Sequence, residues 1–422
     1  MEFLIRAGEI LQPNSPLHKT KKDILVSNGK ITQIADSIDF EGKVISAEHL
    51  KVSVGWVDMR AHYNDPGQEH KEDIETGAKT ALAGGFTDVV LLPNTHPIVS
   101  TKNSVSYYQR FNKDSQVDLH AIAAVTVGCE GKEITEMIDL HTAGAIAFSD
   151  GIKPIWHTDI LIKGLQYLQK FDGLLINKPE DRLLTSFGHM NEGEVSTMLG
   201  LKGMPTLSET LMVERDLSLL AYAGGKIHFS LISSAESVRL IREAKANGLK
   251  VTCDVGVNYL KFTDDDLNDY DTNLKVNPPY RTAADRDALI EGVKDGTIDA
   301  IVSDHLPHDE ECKKLEFDLA DFGSSNQQTY FSVLNEVFGN ELDNLVDHFT
   351  DRPREVLGLD KPKIEVGQDA CLTLFSPDQP WEFNSKTNQS KSVASPLFNS
   401  KLKGKVIGVV NKGALFLNSY ED

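Results

Sequence analysis

Groups able to carry acid–base or metal chemistry lie close together near residue 300. Asp304 and His305 follow an apolar run, and His308 comes three residues after His305. A carboxylate on a turn that leaves a strand can act as a general base or as a metal ligand, and imidazoles bind metals. A single histidine at such a place is more often a hydrogen-bonded structural residue, but this combination favours a functional origin.

Similar groups follow other apolar runs earlier in the chain. They are Arg60, His62 and Asn64 after the first run, Asn94 after the second, Asp150 after the fourth, and Lys178, Glu180 and Asp181 after the fifth. In a parallel β/α barrel, functional residues project from the carboxyl ends of the strands. We therefore expect these side chains to meet at one mouth of a barrel.

The elements that must position these groups alternate between apolar strands and amphipathic helices from Gly55 to about Leu357. The eight strand candidates are GWVDMRAH, FTDVVLLPN, VDLHAIAAVT, GAIAFSD, GLLINKPED, KIHFSLIS, KVTCDVGV and IDAIVSDHLPH. This alternation predicts βαβ units and a parallel sheet. The number of strands favours a closed barrel over an open doubly wound sheet. In one helix, Ser233 and Glu236 match an S-x-x-E capping box at the start, and Gly248 is the predicted stop.

The two ends of the chain have a different pattern. Residues 1–52 contain short strands with turns, and strand-like segments return after residue 360, in QDACLTLFSP and KVIGVVNKGALFLN. We predict that residues 1–52 and 360–422 pair into one small β-sandwich domain, beside a barrel domain of residues 53–359. The predicted fold class is α/β, a (β/α)8 TIM-like barrel with this small domain.

Composition restricts the partners. The 422 residues carry a formal charge of −20, which argues against nucleic acid or an anionic membrane surface because a polyanion would be repelled. The four cysteines are widely spaced and never form CxxC, so neither a disulfide framework nor a thiolate zinc site is indicated. No apolar run approaches the length of about 20 residues that spans a bilayer. We expect a cytoplasmic protein that binds small molecules or other proteins.

Several motifs resemble one family. The stretch GWVDMRAHYNDPGQEHKEDIETG at 55–77 resembles the first-strand signature of dihydroorotases, which are zinc-dependent cyclic amidohydrolases of pyrimidine biosynthesis. LLPNT at 91–95, AFSDG at 147–151, LKVNPPYR at 274–281 and DAIVSDHLPHDEE at 299–311 match the same family in order and spacing. The resemblance covers nearly the whole chain and implies an amidohydrolase-type barrel.

The resemblance fails at the metal ligands. The family's first strand carries an H-x-H pair that binds zinc, and here the pair is Arg60 and His62. The family's histidine after strand 5 is Lys178, and its ligand after strand 6 is Leu231. His62 and Asp150 are the remnants of the metal set that the resemblance implies.

Other positions of the family site are also incomplete. The arginine that holds the substrate carboxylate is Asn64, the Pro-His-His segment after strand 7 reads Val257-Asn258-Tyr259, and the doubled aspartate after strand 4 is single. The resemblance implies that Asp304 is the remnant of the base. It also implies that Asn94, Asn277 and His308 are remnants of the substrate-binding set.

These departures predict that no metal cofactor is bound. A catalytic zinc needs about three protein ligands and an open position for water, and His62 and Asp150 are too few. Arg60 and Lys178 would also repel a divalent cation. We expect Arg60 and Lys178 to pair with Asp150 and Asp304, so that two cationic side chains replace two metals.

The resulting interpretation is a dihydroorotase-like chain of pyrimidine biosynthesis that is not catalytic. The resemblance implies a structural role beside aspartate carbamoyltransferase, and homo-oligomers, typically dimers, are common for barrels of this type. One alternative is an active dihydroorotase with zinc in a reduced site. Others are a metabolite-binding regulatory module, or a metal-free hydrolase that uses Asp304 with Lys178 or His305.

Overall fold

The computed structural model describes residues 2–418, in two sheets of eight strands and one short strand pair. The strands are β1 Glu2–Leu11, β2 Lys21–Ser27, β3 Lys30–Ala35, β4 Lys43–Ile45, β5 Lys51–Val54, β6 Trp56–Ala61, β7 Phe86–Leu91, β8 Asp118–Ala123, β9 Ala147–Phe148, β10 Leu175–Asn177, β11 Met190–Asn191, β12 Gly203–Met204, β13 Ile227–Phe229, β14 Val251–Gly256, β15 Ala300–Val302, β16 Leu372–Phe383, β17 Ser400–Asn411 and β18 Ala414–Leu417.

The second sheet is the predicted barrel. Its strands run in the order β15, β14, β13, β10, β9, β8, β7, β6, and every adjacent pair is parallel. The barrel closes between its first and last strands, where Ala61 forms a parallel bridge with His305 and the His62 N–H donates to the His305 carbonyl at 2.8 Å. All eight predicted strands are confirmed, and their carboxyl ends share one mouth.

Helices separate most of the barrel strands. They are α1 Ile74–Gly84, α2 Lys102–Phe111, α3 Met137–Thr142, α4 Thr158–Leu168, α5 Glu194–Leu199, α6 Leu207–Ala223, α7 Ala235–Ala246, α8 Ala283–Lys294, α9 Glu310–Lys313, α10 Tyr330–Phe338 and α11 Asp351–Leu357. Short 3-10 helices cover Val127–Cys129, Gln169–Phe171, Val257–Leu260, Asp264–Asp269, Thr272–Leu274, Gly339–Asn344 and Val346–Phe349. In residues 2–418, no helix has the length and apolarity that crossing a membrane requires.

The predicted capping box of α7 is wrong by one residue. Ser234 caps the helix and accepts a hydrogen bond from the Ser237 N–H, whereas the Ser233 hydroxyl donates to Glu209. Ser233 is therefore used by the buried Glu209 carboxylate and does not cap the helix. The helix ends at Ala246, two residues before Gly248.

The first sheet joins the two ends of the chain, as predicted. Its order is β18, β17, β16, β5, β1, β2, β3, with β4 also paired to β1. The strand β16 pairs antiparallel with β5 and thereby connects the C-terminal segment to the N-terminal one. These strands have a small apolar core of their own, which includes Ile5, Val52 and Leu372.

Trp56 attaches this sheet to the base of the barrel. Its ring lies at the start of β6, fully buried, among five aromatic rings: Phe86, Tyr330, Phe331, Phe349 and Phe375. Phe375 belongs to β16 of the first sheet, so a single indole contacts both sheets. Aromatic side chains of this size bury roughly 150–250 Å² each, so the cluster contributes strongly to the packing.

Candidate functional site at the barrel mouth

The strand ends bring most of the predicted site residues to the barrel mouth. Arg60 lies on β6, Asp150 follows β9, Lys178 follows β10, Leu231 follows β13 and Asp304 follows β15. All of these side chains are largely buried. Burial of charged groups is costly unless they are paired, so their partners decide what the mouth can do.

Arg60 pairs with Asp304, as predicted. The guanidinium Nε lies 3.0 Å from Asp304 Oδ1, and Nη1 donates to the Ser230 hydroxyl at 3.3 Å. Ser230 donates to Asp254 Oδ2 at 3.1 Å, and His228 Nε2 lies 2.9 Å from the same oxygen. The first family ligand position thus belongs to a continuous polar network across the barrel.

Burial raises the pKa of Asp304 to about 6, although the Arg60 guanidinium acts in the opposite direction. The carboxylate therefore depends on Arg60 for its charge balance. A proton-accepting role for Asp304 would require this ion pair to loosen.

Lys178 does not pair with Asp150, so that part of the prediction is wrong. Its ammonium donates to Glu180 Oε2 at 2.6 Å, two residues further along the chain. Burial lowers the pKa of Lys178, opposed by the adjacent Glu180. Burial would raise the pKa of Glu180, but Lys178 and hydrogen bonds from Thr185 and Asn277 lower it overall.

A threonine satisfies Asp150 instead. The backbone N–H of Thr126 donates to Asp150 Oδ1 at 2.9 Å, and its hydroxyl donates to Oδ2 at 2.5 Å. Burial still raises the pKa of Asp150. A cation was predicted for this carboxylate because cations stand at two of the family ligand positions, Arg60 and Lys178. Nothing in the sequence pattern singled out Thr126.

His62 is held as a neutral imidazole. Its Nε2 lies 3.2 Å from the Asn94 carbonyl, and its Nδ1 accepts from the Asn64 N–H at 3.2 Å. Burial lowers the pKa of His62 to about 4. Leu231 adopts a left-handed backbone (φ 58°), and its N–H donates to Asp254 Oδ1 at 2.6 Å.

Each of the three predicted substrate-binding residues has its own hydrogen-bond partners among the described residues. The Asn94 side chain donates to the Asp150 carbonyl and accepts from the Ile152 N–H, so it holds a loop. Asn277 lies beside Glu180, with Nδ2 to Oε2 at 3.3 Å. His308 lies in a separate cluster with Lys71, where burial lowers its pKa to about 4.

Among the described residues, His305 forms no hydrogen bond with Lys178. Its Nδ1 accepts from the Asn326 N–H at 3.2 Å, and its buried Nε2 has no hydrogen-bond partner among the described residues. The nearest carboxylate oxygen to Nε2 is on Glu72, at 3.6 Å.

A cavity of about 420 Å³ opens at the mouth. Its lining includes Lys153, Trp156, Arg182 and Asn277. The Arg182 guanidinium lies over the Trp156 ring, 4.6 Å from the ring centre. The carboxylates Glu130 and Glu180 also line the cavity, so its concave surface combines cationic, amide and acidic groups.

Metal-ligand side chains gather elsewhere. Within residues 2–418, one group of three brings its ligand atoms within 4.8 Å of one another: His308, Cys312 and Asp321. The six family ligand positions in the mouth are occupied by Arg60, His62, Asp150, Lys178, Leu231 and Asp304. Of these, His62, Asp150 and Asp304 have side chains that zinc binds, and Asp304 is paired with Arg60. Sequence reasoning missed the group of three because Cys312 and Asp321 lie outside the matched motifs.

Comparison with known proteins first defines the class. The fold matches L-hydantoinase from Arthrobacter aurescens with a TM-score of 0.85 and 23% identity, over 99% of this chain and 96% of the other. It also matches dihydropyrimidinase from Brevibacillus agri with a TM-score of 0.80 and 20% identity, over 99% of this chain and 95% of the other. A model of the amidohydrolase family matches residues 192–415. The chain is therefore an amidohydrolase-type barrel.

Sequence relatives define the family. A Dihydro-orotase-like model matches residues 50–237. The dihydroorotase of Citrifermentans bemidjiense is 38% identical over 98% of this chain and 99% of its own length. The dihydroorotase of Caldanaerobacter subterraneus subsp. tengcongensis is 40% identical over 94% of this chain and 93% of its own length. The chain belongs to the dihydroorotase family, and the predicted resemblance is confirmed.

Proposed function

We propose that this chain is a non-catalytic member of the dihydroorotase family and acts as a structural partner of aspartate carbamoyltransferase. One observation carries the first half of the proposal: Arg60 Nε lies 3.0 Å from Asp304 Oδ1. A guanidinium thus occupies the first ligand position of the family and engages the carboxylate that the family resemblance assigns as base.

The side chains at the ligand positions do not fit a family-type zinc centre. Arg60 and Lys178 carry positive charge and Leu231 has no donor atom. Zinc needs about three protein ligands. At an effective dielectric of about 20, two unit positive charges 4 Å apart repel by about 4 kcal/mol, and a divalent ion doubles this. A metal would have to overcome that repulsion with half of the family's ligands missing.

Hydrolysis also lacks a prepared nucleophile. In a zinc hydrolase the metal lowers the pKa of bound water, and the base then accepts a proton. Here the Asp304 carboxylate is bound to Arg60, and the Lys178 ammonium is bound to Glu180. The ion pairs keep the buried carboxylates compensated, which supports a role in fold stability.

An exposed apolar segment supports the partner role. Six large apolar side chains between residues 183 and 211 are at least 38% exposed: Leu183, Leu184, Phe187, Met198, Leu207 and Leu211. Large exposed apolar patches mark protein–protein contacts more often than isolated exposed residues do. We propose that this segment contributes to assembly, either with the carbamoyltransferase or in a homodimer.

The assembly is tested by sedimentation velocity of the chain alone and mixed with the aspartate carbamoyltransferase of the same cell. A joint boundary is expected for the mixture. The Leu183→Ser/Phe187→Ser variant should weaken it, and the control Tyr222→Ser, at an exposed aromatic on the last turn of α6, should not. Independent sedimentation at all concentrations would overturn the partner role.

The absence of catalysis is tested by following dihydroorotate hydrolysis with added zinc. We expect the unmodified chain to hydrolyse dihydroorotate no faster than the Asp304→Asn variant does. Zinc-dependent turnover that Asp304→Asn abolishes would instead support the active dihydroorotase with a reduced metal site.

A second candidate function, binding of a small acidic metabolite, is favoured by the mouth cavity with Lys153, Arg182 and Asn277 in its lining. A ligand that binds only the native state raises the melting temperature. Dihydroorotate and N-carbamoyl-aspartate are the probes. A rise in melting temperature that is lost in Arg182→Gln would support this function. No rise in melting temperature at millimolar probe concentrations would exclude it for these probes.

A further inference from the structure

A cluster beside the Arg60–Asp304 pair, on the segments that follow β15 and β6, combines three types of metal ligand around a lysine. His308 and Asp321 lie in loops after β15, Cys312 lies in the short helix α9, and Lys71 comes from the segment between β6 and α1. The ligand atoms of His308, Cys312 and Asp321 are all within 4.8 Å of one another. The Lys71 ammonium is 3.1 Å from His308 Nδ1 and 3.5 Å from Asp321 Oδ2.

We propose that His308, Cys312 and Asp321 form a binding site for a zinc-class divalent metal, and that the Lys71 ammonium competes with the metal for the same donors. Nothing in this proposal depends on whether the barrel mouth is catalytic. The site lies outside the six family ligand positions and uses a sulfur donor.

The imidazole is already oriented for a metal. His308 Nε2 donates to the Phe322 carbonyl at 2.9 Å, which leaves the lone pair of Nδ1 directed at the cluster. Metal-binding histidines are usually fixed in this way, through a hydrogen bond from the other ring nitrogen. At present Nδ1 accepts its hydrogen bond from Lys71. The donor atom is therefore available to whichever cation occupies the cluster.

The other two donors lie on fixed backbone. Asp309 caps α9 and accepts from the Cys312 N–H at 2.9 Å. The Lys313 ammonium donates to the carbonyls of Asp321 and Gly323, at 2.8 and 2.9 Å, which holds the loop that carries the Asp321 carboxylate. The backbone is held on both sides of the site, so side-chain rotations are the main adjustment that metal binding requires.

That adjustment is small in distance. Ligand bonds of about 2.0–2.3 Å in a tetrahedron separate the donor atoms by about 3.3–3.8 Å. The donors, now within 4.8 Å of one another, must approach by at most about 1–1.5 Å to reach that separation. The Asp321 side chain is 53% exposed, so its carboxylate can rotate inward and open a route by which the Lys71 ammonium reaches solvent.

The donor set selects the metal. One imidazole nitrogen, one thiolate and one carboxylate oxygen suit zinc and its spectroscopic substitute cobalt, whereas magnesium and calcium prefer oxygen ligands alone. A metal also deprotonates the thiol that it binds, so occupancy creates a metal–thiolate bond with its own absorption.

Titration of the full-length chain with Co²⁺, followed by the thiolate-to-cobalt charge-transfer absorption, tests the proposal. We expect saturation at one equivalent. Cys312→Ser should abolish the band, and Asp321→Asn should weaken binding by about tenfold or more. Lys71→Met, which removes the competing charge but keeps the side-chain length, should strengthen binding by about tenfold.

Cys129→Ser is the matched control, because Cys129 is the cysteine that lines the mouth cavity near Asp150. This variant should keep the band unchanged. Absence of any thiolate–cobalt band, or a band that is lost in Cys129→Ser and kept in Cys312→Ser, would overturn the proposal. The exposed Asp321 gives a second variant that tests the site if Cys312→Ser folds poorly.

Discussion

The barrel mouth and the Lys71 cluster both place a cationic side chain among groups that could bind a metal, but they do so differently. In the mouth, Arg60 and Lys178 stand at the ligand positions themselves, and each is paired with one buried carboxylate. In the cluster, all three donor side chains are present and Lys71 approaches from another segment. We therefore expect Arg60 and Lys178 to be structural, because they have replaced metal ligands. Lys71 leaves the three ligands intact, so a metal ion can take its place.

This contrast predicts the largest effect for the Arg60 pair. Arg60→Met should lower the free energy of unfolding by about 3–5 kcal/mol, because it leaves the Asp304 carboxylate buried without its partner. The double variant Arg60→Met/Asp304→Leu should recover most of the loss, since it removes both charges. Urea unfolding of the unmodified chain, Arg60→Met, Asp304→Leu and the double variant measures the loss and its recovery.

Arg239→Met provides the surface control for that cycle. Arg239 pairs with Glu236 and Glu243 on the exposed face of α7, where solvent screens the charges and an ion pair contributes little to stability. A loss at Arg60 no larger than the loss at Arg239 would contradict the idea that the mouth pair is structural.

The next effect is a pH dependence at His62. Its pKa is lowered to about 4 from an ordinary 6.5, so the unfolded chain binds more protons between these values and stability falls as pH decreases through this window. At about 1.36 kcal/mol per pKa unit, His62 should account for about 2.5 kcal/mol of the loss between pH 7 and about pH 4.5. The His62→Gln variant should lose correspondingly less stability over the same pH range. Unfolding free energies of both proteins with a chelator present, at pH 7 and 4.5, measure the difference, and parallel pH profiles would refute it.

The smallest effect is expected at Lys71. Its ion-pair partner Asp321 is 53% exposed, so Lys71→Met should change the free energy of unfolding by only about 1 kcal/mol. Urea unfolding under the conditions used for Arg60→Met compares the two cations directly. A loss as large as the one at Arg60 would mean that Lys71 is structural and would remove the distinction between the two regions.

The sequence predicted the barrel more completely than the contacts inside it. The eight strands follow from their apolar runs, and the position of Asp304, Lys178 and Arg60 at one mouth follows from the rule that parallel strands end on the same side. The pairing of Arg60 with Asp304 could also be predicted, since a buried carboxylate needs compensation. The family resemblance supplied the identity of each ligand position.

Which partner each charge selects could not be predicted. Lys178 pairs with Glu180, which is only two residues away, and Asp150 is bound by Thr126 from the loop after β8. Both contacts depend on loop conformation, which alternating apolar patterns do not encode. The cluster around Lys71 was not predicted because Cys312 and Asp321 lie outside the matched motifs and Lys71 comes from a different segment, between β6 and α1.

Zinc binding to the Cys312→Ser chain, compared with the same chain carrying Arg60→His, Lys178→His and Leu231→His, tests the central claim most directly. Equilibrium dialysis gives the number of ions bound once the proposed loop site has been removed. We predict no zinc at micromolar free concentration for the Cys312→Ser chain and at least one equivalent for the chain with the restored histidines. One or more equivalents in the Cys312→Ser chain itself, lost on His62→Gln, would contradict the claim that cationic side chains have replaced the metal at the barrel mouth.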